Sequence, residues 1–370
     1  MAVIKGRRFV VDGVTPEPPE GKVMKFEVVF DTPPTSLSVV TPKFKYNKIG
    51  HFAMDVDDGG WRIGNPVIQF ISSKTYTDGC GNAKPYTGSL ALNGGTGIPS
   101  DPLYNQDYLQ EPEIRSFIDL NWDISNHGDQ HGPSPTALLD TNTLDARMTL
   151  RTNYKLRSTC IPTNFDGYAH AAFLLNYIYI TSQGDYYDEF KPTMTHKLIR
   201  DIYPLPVFTG ITRDFNDEWA EGSAAYNNFM SFFKAEIDSM FVPNPQRNYL
   251  RMGTHSSLNT TAMLNGYKAF INYLHNTSAD RLIACTTREF FEYLEMKQMP
   301  MSFTVTGNVA TVVVDLTNLN DRNRWRDLSF VFTSDNSTTI TAINPIAGIT
   351  STSFNPTTKL VNIFKQKKVW

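Results

Sequence analysis

Between residues 46 and 298, apolar strand-like runs alternate with amphipathic helical patterns, and a chain that alternates in this way has few folds open to it. Where a helix joins one strand to the next, neighbouring strands run parallel, so the pattern predicts a parallel sheet or barrel. Helical periodicity is clearest at 111–120, 137–154, 168–176, 221–240 and 260–274. In the last of these Leu264, Tyr267, Phe270, Ile271 and Leu274 share one face. Thr286 followed three residues later by Glu289 is a capping-box signature that opens a further helix. Strand-like runs include Phe52–Val56 and Val67–Ile71. The stretch from Thr75 to Gln106 is rich in Gly, Asn and Tyr and reads as a long loop with a strand at Ser89–Asn93 inside it.

Two segments carry chemistry. The run Phe52-Ala-Met-Asp55-Val ends in Asp57-Asp58-Gly59-Gly60, as a buried strand does when it delivers carboxylates to the mouth of a pocket. Downstream, Asp123-Ile-Ser-Asn126-His127-Gly-Asp-Gln-His131 sets two imidazoles four residues apart, close enough to grip one metal ion from a single turn. One Asp and two His form a three-ligand set with a coordination position left for water, which suits a catalytic metal rather than a structural one. With 7 His in 370 residues, a His-x-x-x-His pair arises by chance in roughly one such chain in eight, so the flanking residues carry the weight of this reading. Adjacent Asp side chains on a strand face opposite ways, so one of the pair ligates only if a turn near Gly59 swings the other aside. Asp55 is the alternative ligand if the register slips.

These segments resemble the NodB-like polysaccharide deacetylases of carbohydrate esterase family 4. That family's first motif, Thr-Phe-Asp-Asp-Gly, stands here as Asp55-Val56-Asp57-Asp58-Gly59. Its second, His-(Ser/Thr)-x-x-His, stands as His127-Gly128-Asp129-Gln130-His131, with Gly128 where Ser or Thr is usual. Leu250-Arg-Met-Gly-Thr-His255 is similar to the fifth motif, and the order along the chain agrees. At the third motif, normally Arg-x-Pro, this chain has Cys160-Ile161-Pro162, and neither Arg151 nor Arg157 is in register. For the fourth, Asp214 and Asp217 are the candidates. The resemblance implies a distorted (β/α) barrel of about seven strands. It also implies Asp57 as general base, Asp58, His127 and His131 as ligands of a divalent metal, and His255 as the acid that protonates the leaving group. Zn²⁺ suits one Asp and two His, and Co²⁺, Ni²⁺ or Mn²⁺ take the same donors. Backbone N–H groups near Thr163–Gly167 are candidates for holding an oxyanion.

Composition bounds the partners. The chain is 41% hydrophobic and 19% charged, hence globular, and its net charge of −3 argues against nucleic acid, whose phosphates need a basic surface. Cys80, Cys160 and Cys285 form no Cys-x-x-Cys pattern, which argues against a disulfide framework or a zinc knuckle. No apolar run is long enough to span a membrane, and no secretory signal is visible. The substrate class nevertheless predicts an extracellular, cell-surface or virion-associated protein. Residues 1–45 read as an N-terminal β segment and 46–298 as the catalytic domain. Residues 299–370, with short Val- and Thr-rich strands, read as a small C-terminal β-sandwich open to a carbohydrate or an assembly partner. Two functions follow. One is a metal-dependent hydrolase that removes acetyl groups from a polysaccharide or glycan. The other is a non-catalytic carbohydrate-binding or structural protein, of the kind carried on a phage tail, that keeps the fold and part of the site.

Overall fold

The computed structural model describes residues 21–58, 65–94, 109–132, 136–165, 167–182, 207–209, 211–212, 220–243, 248–254 and 260–365. They form two compact units. One holds the described residues of Ile49–Tyr76 and Pro85–Phe291, the other those of Met1–Lys48, Thr77–Lys84 and Glu292–Lys368.

The larger unit is built on one parallel sheet. Its strands are β1 (Gly50–Val56), β2 (Ser89–Leu92), β3 (Asp123–Asn126), β4 (Ser158–Cys160), β5 (Tyr179–Ser182), β6 (Val207–Thr209), β7 (Ile211–Thr212), β8 (Tyr249–Thr254) and β9 (Leu282–Ala284). They pair in the order β6-β5-β4-β3-β2-β1-β8-β7. Strands β6 and β7 stand at opposite ends of that order, yet a single residue separates them in the chain. Two Cα steps reach at most about 7.6 Å, so the ends of the sheet are drawn together and the sheet curls into a barrel. With β6 and β7 counted as one interrupted strand, the eight strands of that order occupy seven positions around the ring, as the resemblance implies. The distortion lies at β1. Strand β8 pairs with it from His51 to Val56, whereas β9 pairs only with its first residues and β2 only with Asp55 and Val56.

All seven residues of β1 are buried, as expected of a parallel strand covered on both faces. The Phe52 ring packs 6.2 Å from Phe233 and 5.9 Å from Phe270, on helices α5 (Ala224–Ser239) and α6 (Thr261–Ser278). Alternation along the strand therefore turns Asp55 and Asp57 to the inner face of the barrel. The other helices of this unit are α1 (Pro66–Ser72), α2 (Glu111–Asp119), α3 (Ala137–Thr152) and α4 (Gly167–Leu174).

The apolar run Val67–Ile71, which reads as a strand, is helix α1 instead. Asn65 Oδ1 accepts the Val67 N–H at 2.8 Å, and Pro66 occupies the first turn, where its missing N–H costs nothing. A short apolar run has no period that separates a buried helix from a buried strand, and here the cap decides.

The smaller unit is a pair of four-stranded antiparallel sheets. Strand Val23–Phe30 lies between Val309–Asp315 and Ile340–Ala347, and Ser38–Val40 pairs with Leu328–Thr333. The N-terminal strands are thus members of the sheets made by the C-terminal segment. Inward residues Met24, Phe26, Val28 and Phe30 alternate with half-exposed ones and meet Phe330, Phe332, Val361 and Ile363 in one core. Phe26 and Phe330 lie 5.3 Å apart between ring centroids. Burying each such side chain contributes about 1.5–3 kcal/mol.

Candidate metal centre

The site forms at the carboxyl ends of β1 to β4. Asp57 extends the inner face of β1, with its N–H donated to the Thr254 carbonyl at 2.7 Å. The next residue turns. Asp58 has φ +67°, so its side chain leaves the direction of the strand and points across the mouth, toward the loop after β3. The turn that separates the two carboxylates thus falls on Asp58 itself, one residue before the glycine that the sequence suggests.

That loop carries both histidines. Asp58 Oδ1 lies 3.6 Å from His127 Nε2 and 3.3 Å from His131 Nε2, and the two Nε2 atoms are 3.0 Å apart. Ligand atoms held 2.0–2.2 Å from one tetrahedral Zn²⁺ are about 3.3–3.6 Å apart, so this triangle fits a small divalent cation closely. The donor chemistry agrees. His127 Nδ1 donates to the Cys160 carbonyl at 2.8 Å, which fixes the ring and leaves the Nε2 lone pair facing His131 and Asp58. Asn93, just past β2, donates its Nδ2–H to Asp58 Oδ1 at 3.2 Å. Among the described residues, Asp58, His127 and His131 are the one group of three or more His, Cys, Asp or Glu side chains with metal-ligand spacing.

Buried partners hold the loop in shape. Asn126 Oδ1 accepts the Gly128 N–H at 2.8 Å, and its Nδ2 donates to the Thr141 carbonyl of α3. Asp140, also on α3, accepts the Gln130 N–H at 2.8 Å with one oxygen and the Tyr168 hydroxyl at 2.7 Å with the other. Burial, and then this hydrogen bond, pushes the Tyr168 phenol well above its ordinary value, so it remains a donor. Gly128 has φ +73°, and a Cβ built there would stand 2.6 Å from Asp140 Oδ2 and 3.1 Å from the Tyr168 ring. The departure from Ser or Thr in the second motif therefore has a local cause.

Cys160 joins the two halves of the site. Its carbonyl holds His127, while its Sγ–H lies 3.3 Å from Asp57 Oδ1. Burial, reinforced by Asp57, pushes the thiol far above its ordinary value, so it acts as a neutral donor. Below this level Asp55 is paired with Arg251 of β8, both within the barrel and almost fully buried. Burial alone drives the Asp55 carboxyl up and works against the Arg251 charge, and the contact between the two holds the guanidinium protonated. Asp55 is thereby committed to Arg251 and is absent from the metal-ligand group. Pro162 and Thr163 follow Cys160 in a short turn, where Thr163 is held at φ +50°, a costly conformation for a β-branched residue.

His255, Asp214 and Asp217 lie outside the described residues, as do Gly59 and Gly60. Asn93, Asp140 and Arg251 are absent from the sequence-based set. The rule that open sites gather at the carboxyl ends of parallel strands would have pointed to Asn93, which directly follows β2. Nothing local marks Asp140 or Arg251.

No family model matches the chain, and no curated protein matches it. Solved structures do. The peptidoglycan deacetylase PdaC from Bacillus subtilis aligns at 12% identity over 69% of this chain and 96% of its own, with a TM-score of 0.36. The PuuE allantoinase aligns at 9% identity over 68% and 92%, with a TM-score of 0.44. A CE4 family pseudoenzyme from Bacillus anthracis aligns at 10% identity over 65% of each chain, with a TM-score of 0.34.

Proposed function

We propose that this protein is a divalent-metal-dependent hydrolase that removes N- or O-linked acetyl groups from a polysaccharide or glycan, and that it works outside the cell or on a particle surface. The observation that carries this reading is the convergence of Asp58, His127 and His131 within 4.8 Å of one another, with Asp57 directly beside them. These three residues, separated by up to 73 positions in the chain, hold the metal, with Zn²⁺ first and Co²⁺, Ni²⁺ or Mn²⁺ as alternatives. A bound divalent cation polarises an acyl carbonyl and brings the pKa of water from 15.7 down to about 7.

The chain's own residues supply the rest. Asp57 lies at the mouth on the inner face and takes the proton from the attacking water, while the Cys160 thiol orients its carboxylate from the other side. Asn93 keeps Asp58 turned toward the histidines, and the Cys160 carbonyl keeps His127 in the tautomer that a metal needs. The turn at Pro162–Asn164 sets backbone N–H groups beside the site as candidates for the oxyanion. The leaving amine or alkoxide is assigned to His255 on the motif alone.

Acetate release from a panel of acetylated glycans, read beside metal content, tests the assignment. Asp57→Asn is expected to lower turnover by at least about 10³-fold while about one equivalent of metal stays bound, and undiminished turnover in that variant ends the general-base role.

One observation favours the second reading, a carbohydrate-binding or structural protein that retains the fold. Cys160, a neutral thiol, stands where the resemblance calls for an arginine beside the base. Metal-loaded protein that releases no acetate yet binds glycan would establish that reading.

A further inference from the structure

The buried pair beneath the site has a feature that pairing alone does not require. Arg251 and Gly253 lie on the same face of β8, two residues apart, and Gly253 is the β8 partner of Asp55 across the sheet. A Cβ on Gly253 would stand 3.6 Å from Arg251 Nη2 and 3.8 Å from Nη1. The guanidinium therefore runs up the strand, over the gap left by glycine, from the level of Ala53 to that of Asp55. There its Nε donates to Asp55 Oδ2. The Asp55 side chain points toward the same inner face as that of Asp57, two residues nearer the mouth, and the field of Arg251 reaches both Asp57 and Cys160. Arg251 is 2% exposed, so its charge acts through protein with little screening by water.

We propose that Arg251 is the positioning cation of this site. From below, and through Asp55 and Cys160, it fixes the Asp57 carboxylate in the orientation a base needs, and it does so from β8 rather than from the strand that carries Cys160. This rests on the assignment of Asp57 under the proposed function. It assigns a role to a residue outside the motifs and explains why β8 carries glycine at position 253.

Three variants test it: Arg251→Met, Arg251→Lys and the double variant Asp55→Asn with Arg251→Met, which leaves no uncompensated carboxylate and guards against simple misfolding. Asp55→Asn alone is the reference. Each is assayed for zinc content, for kcat and KM on the acetylated glycan, and for the ¹³C carboxyl resonance of Asp57 at one fixed pH, assigned by its loss in Asp57→Asn. The expected result is an Asp57 resonance displaced in both Met variants and near its original place in Arg251→Lys. Alongside this, kcat falls at least about 30-fold in the Met variants, with KM within about twofold, about one zinc retained, and partial recovery in Arg251→Lys. Two outcomes overturn the proposal. One is a double variant whose Asp57 resonance and kcat match those of Asp55→Asn, which would make Arg251 merely the counter-ion of Asp55. The other is a loss of kcat that follows loss of zinc. Wild-type protein that releases no acetate defeats the proposed function instead, and the Asp57 resonance then decides the role of Arg251 without it.

Discussion

At position 128 a side chain has nowhere to go. The backbone is in the left-handed region, at φ +73°, and the space a Cβ would fill is taken by the Asp140 carboxylate and the Tyr168 ring. The same Asp140 holds the Gln130 N–H, so displacing it loosens the turn that sets the spacing of His127 and His131. Gly128→Ser therefore combines left-handed strain of about 1–2 kcal/mol with loss of that anchor. The expected outcome is a protein destabilised by about 2–3 kcal/mol in urea titration, with zinc bound at least about tenfold more weakly in competition with a chelator. A Gly128→Ser variant with undiminished zinc affinity would show that the loop tolerates the residue the second motif usually carries. Position 58 makes the complementary point. Two adjacent aspartates were legible in the sequence, and so was the need for a turn between their directions, but the left-handed φ of Asp58 that provides it was not. A carboxylate residue adopts that conformation at tolerable cost, and no neighbour in sequence announces it.

Elements whose ends carry local signals were read well, and those decided by distant packing were not. Thr286 accepts the Glu289 N–H at 3.0 Å, as the capping-box signature implies, and helix Thr287–Met296 follows. Strand Ser351–Asn355, with its Ser- and Thr-rich sequence, has no apolar alternation to reveal it and exists through pairing with Leu360–Phe364. Helix α6 shows how a boundary can be kept at a cost. Its C-terminus closes through Ala279 at φ +44° and ψ +49°, a place that glycine fills without strain. Ala279→Gly removes about 1–2 kcal/mol of left-handed strain and gives back part of it as extra freedom of the unfolded chain. The net gain is about 0.5–1 kcal/mol, seen as a rise of roughly 1–4 °C in the melting temperature of a unit this size. No rise, or a fall, would mean that the Ala279 methyl contributes packing that outweighs the strain.

Across the whole molecule, the sequence pattern was sufficient for the kind of fold because alternation of strand and helix is local, while the closing of the barrel depends on one junction. Residues 207–212 supply both ends of the sheet order, and nothing in their composition sets them apart from a loop. Likewise, the pairing of Val23–Phe30 with strands near residues 310 and 340 joins segments some 300 positions apart, beyond the reach of any periodicity. Long-range placement also explains why the metal ligands have a consequence for the larger unit as a whole. Asp58 leaves β1, His127 and His131 follow β3, and Cys160 ends β4, so a cation bound there ties together the carboxyl ends of three strands that the chain itself connects only through long excursions. Binding to the folded state alone stabilises by RT ln(1 + [L]/Kd), about 2.7 kcal/mol at a hundredfold excess over Kd. For a unit of this size that corresponds to a rise of roughly 5–10 °C in the calorimetric transition on adding zinc to chelator-treated protein. The shift should be reversed by chelator and reduced to under about 2 °C in His131→Ala, which leaves two ligands in place. A wild-type transition indifferent to zinc, cobalt, nickel and manganese would mean that the triangle of Asp58, His127 and His131 is held together by its own hydrogen bonds and has no metal to bind.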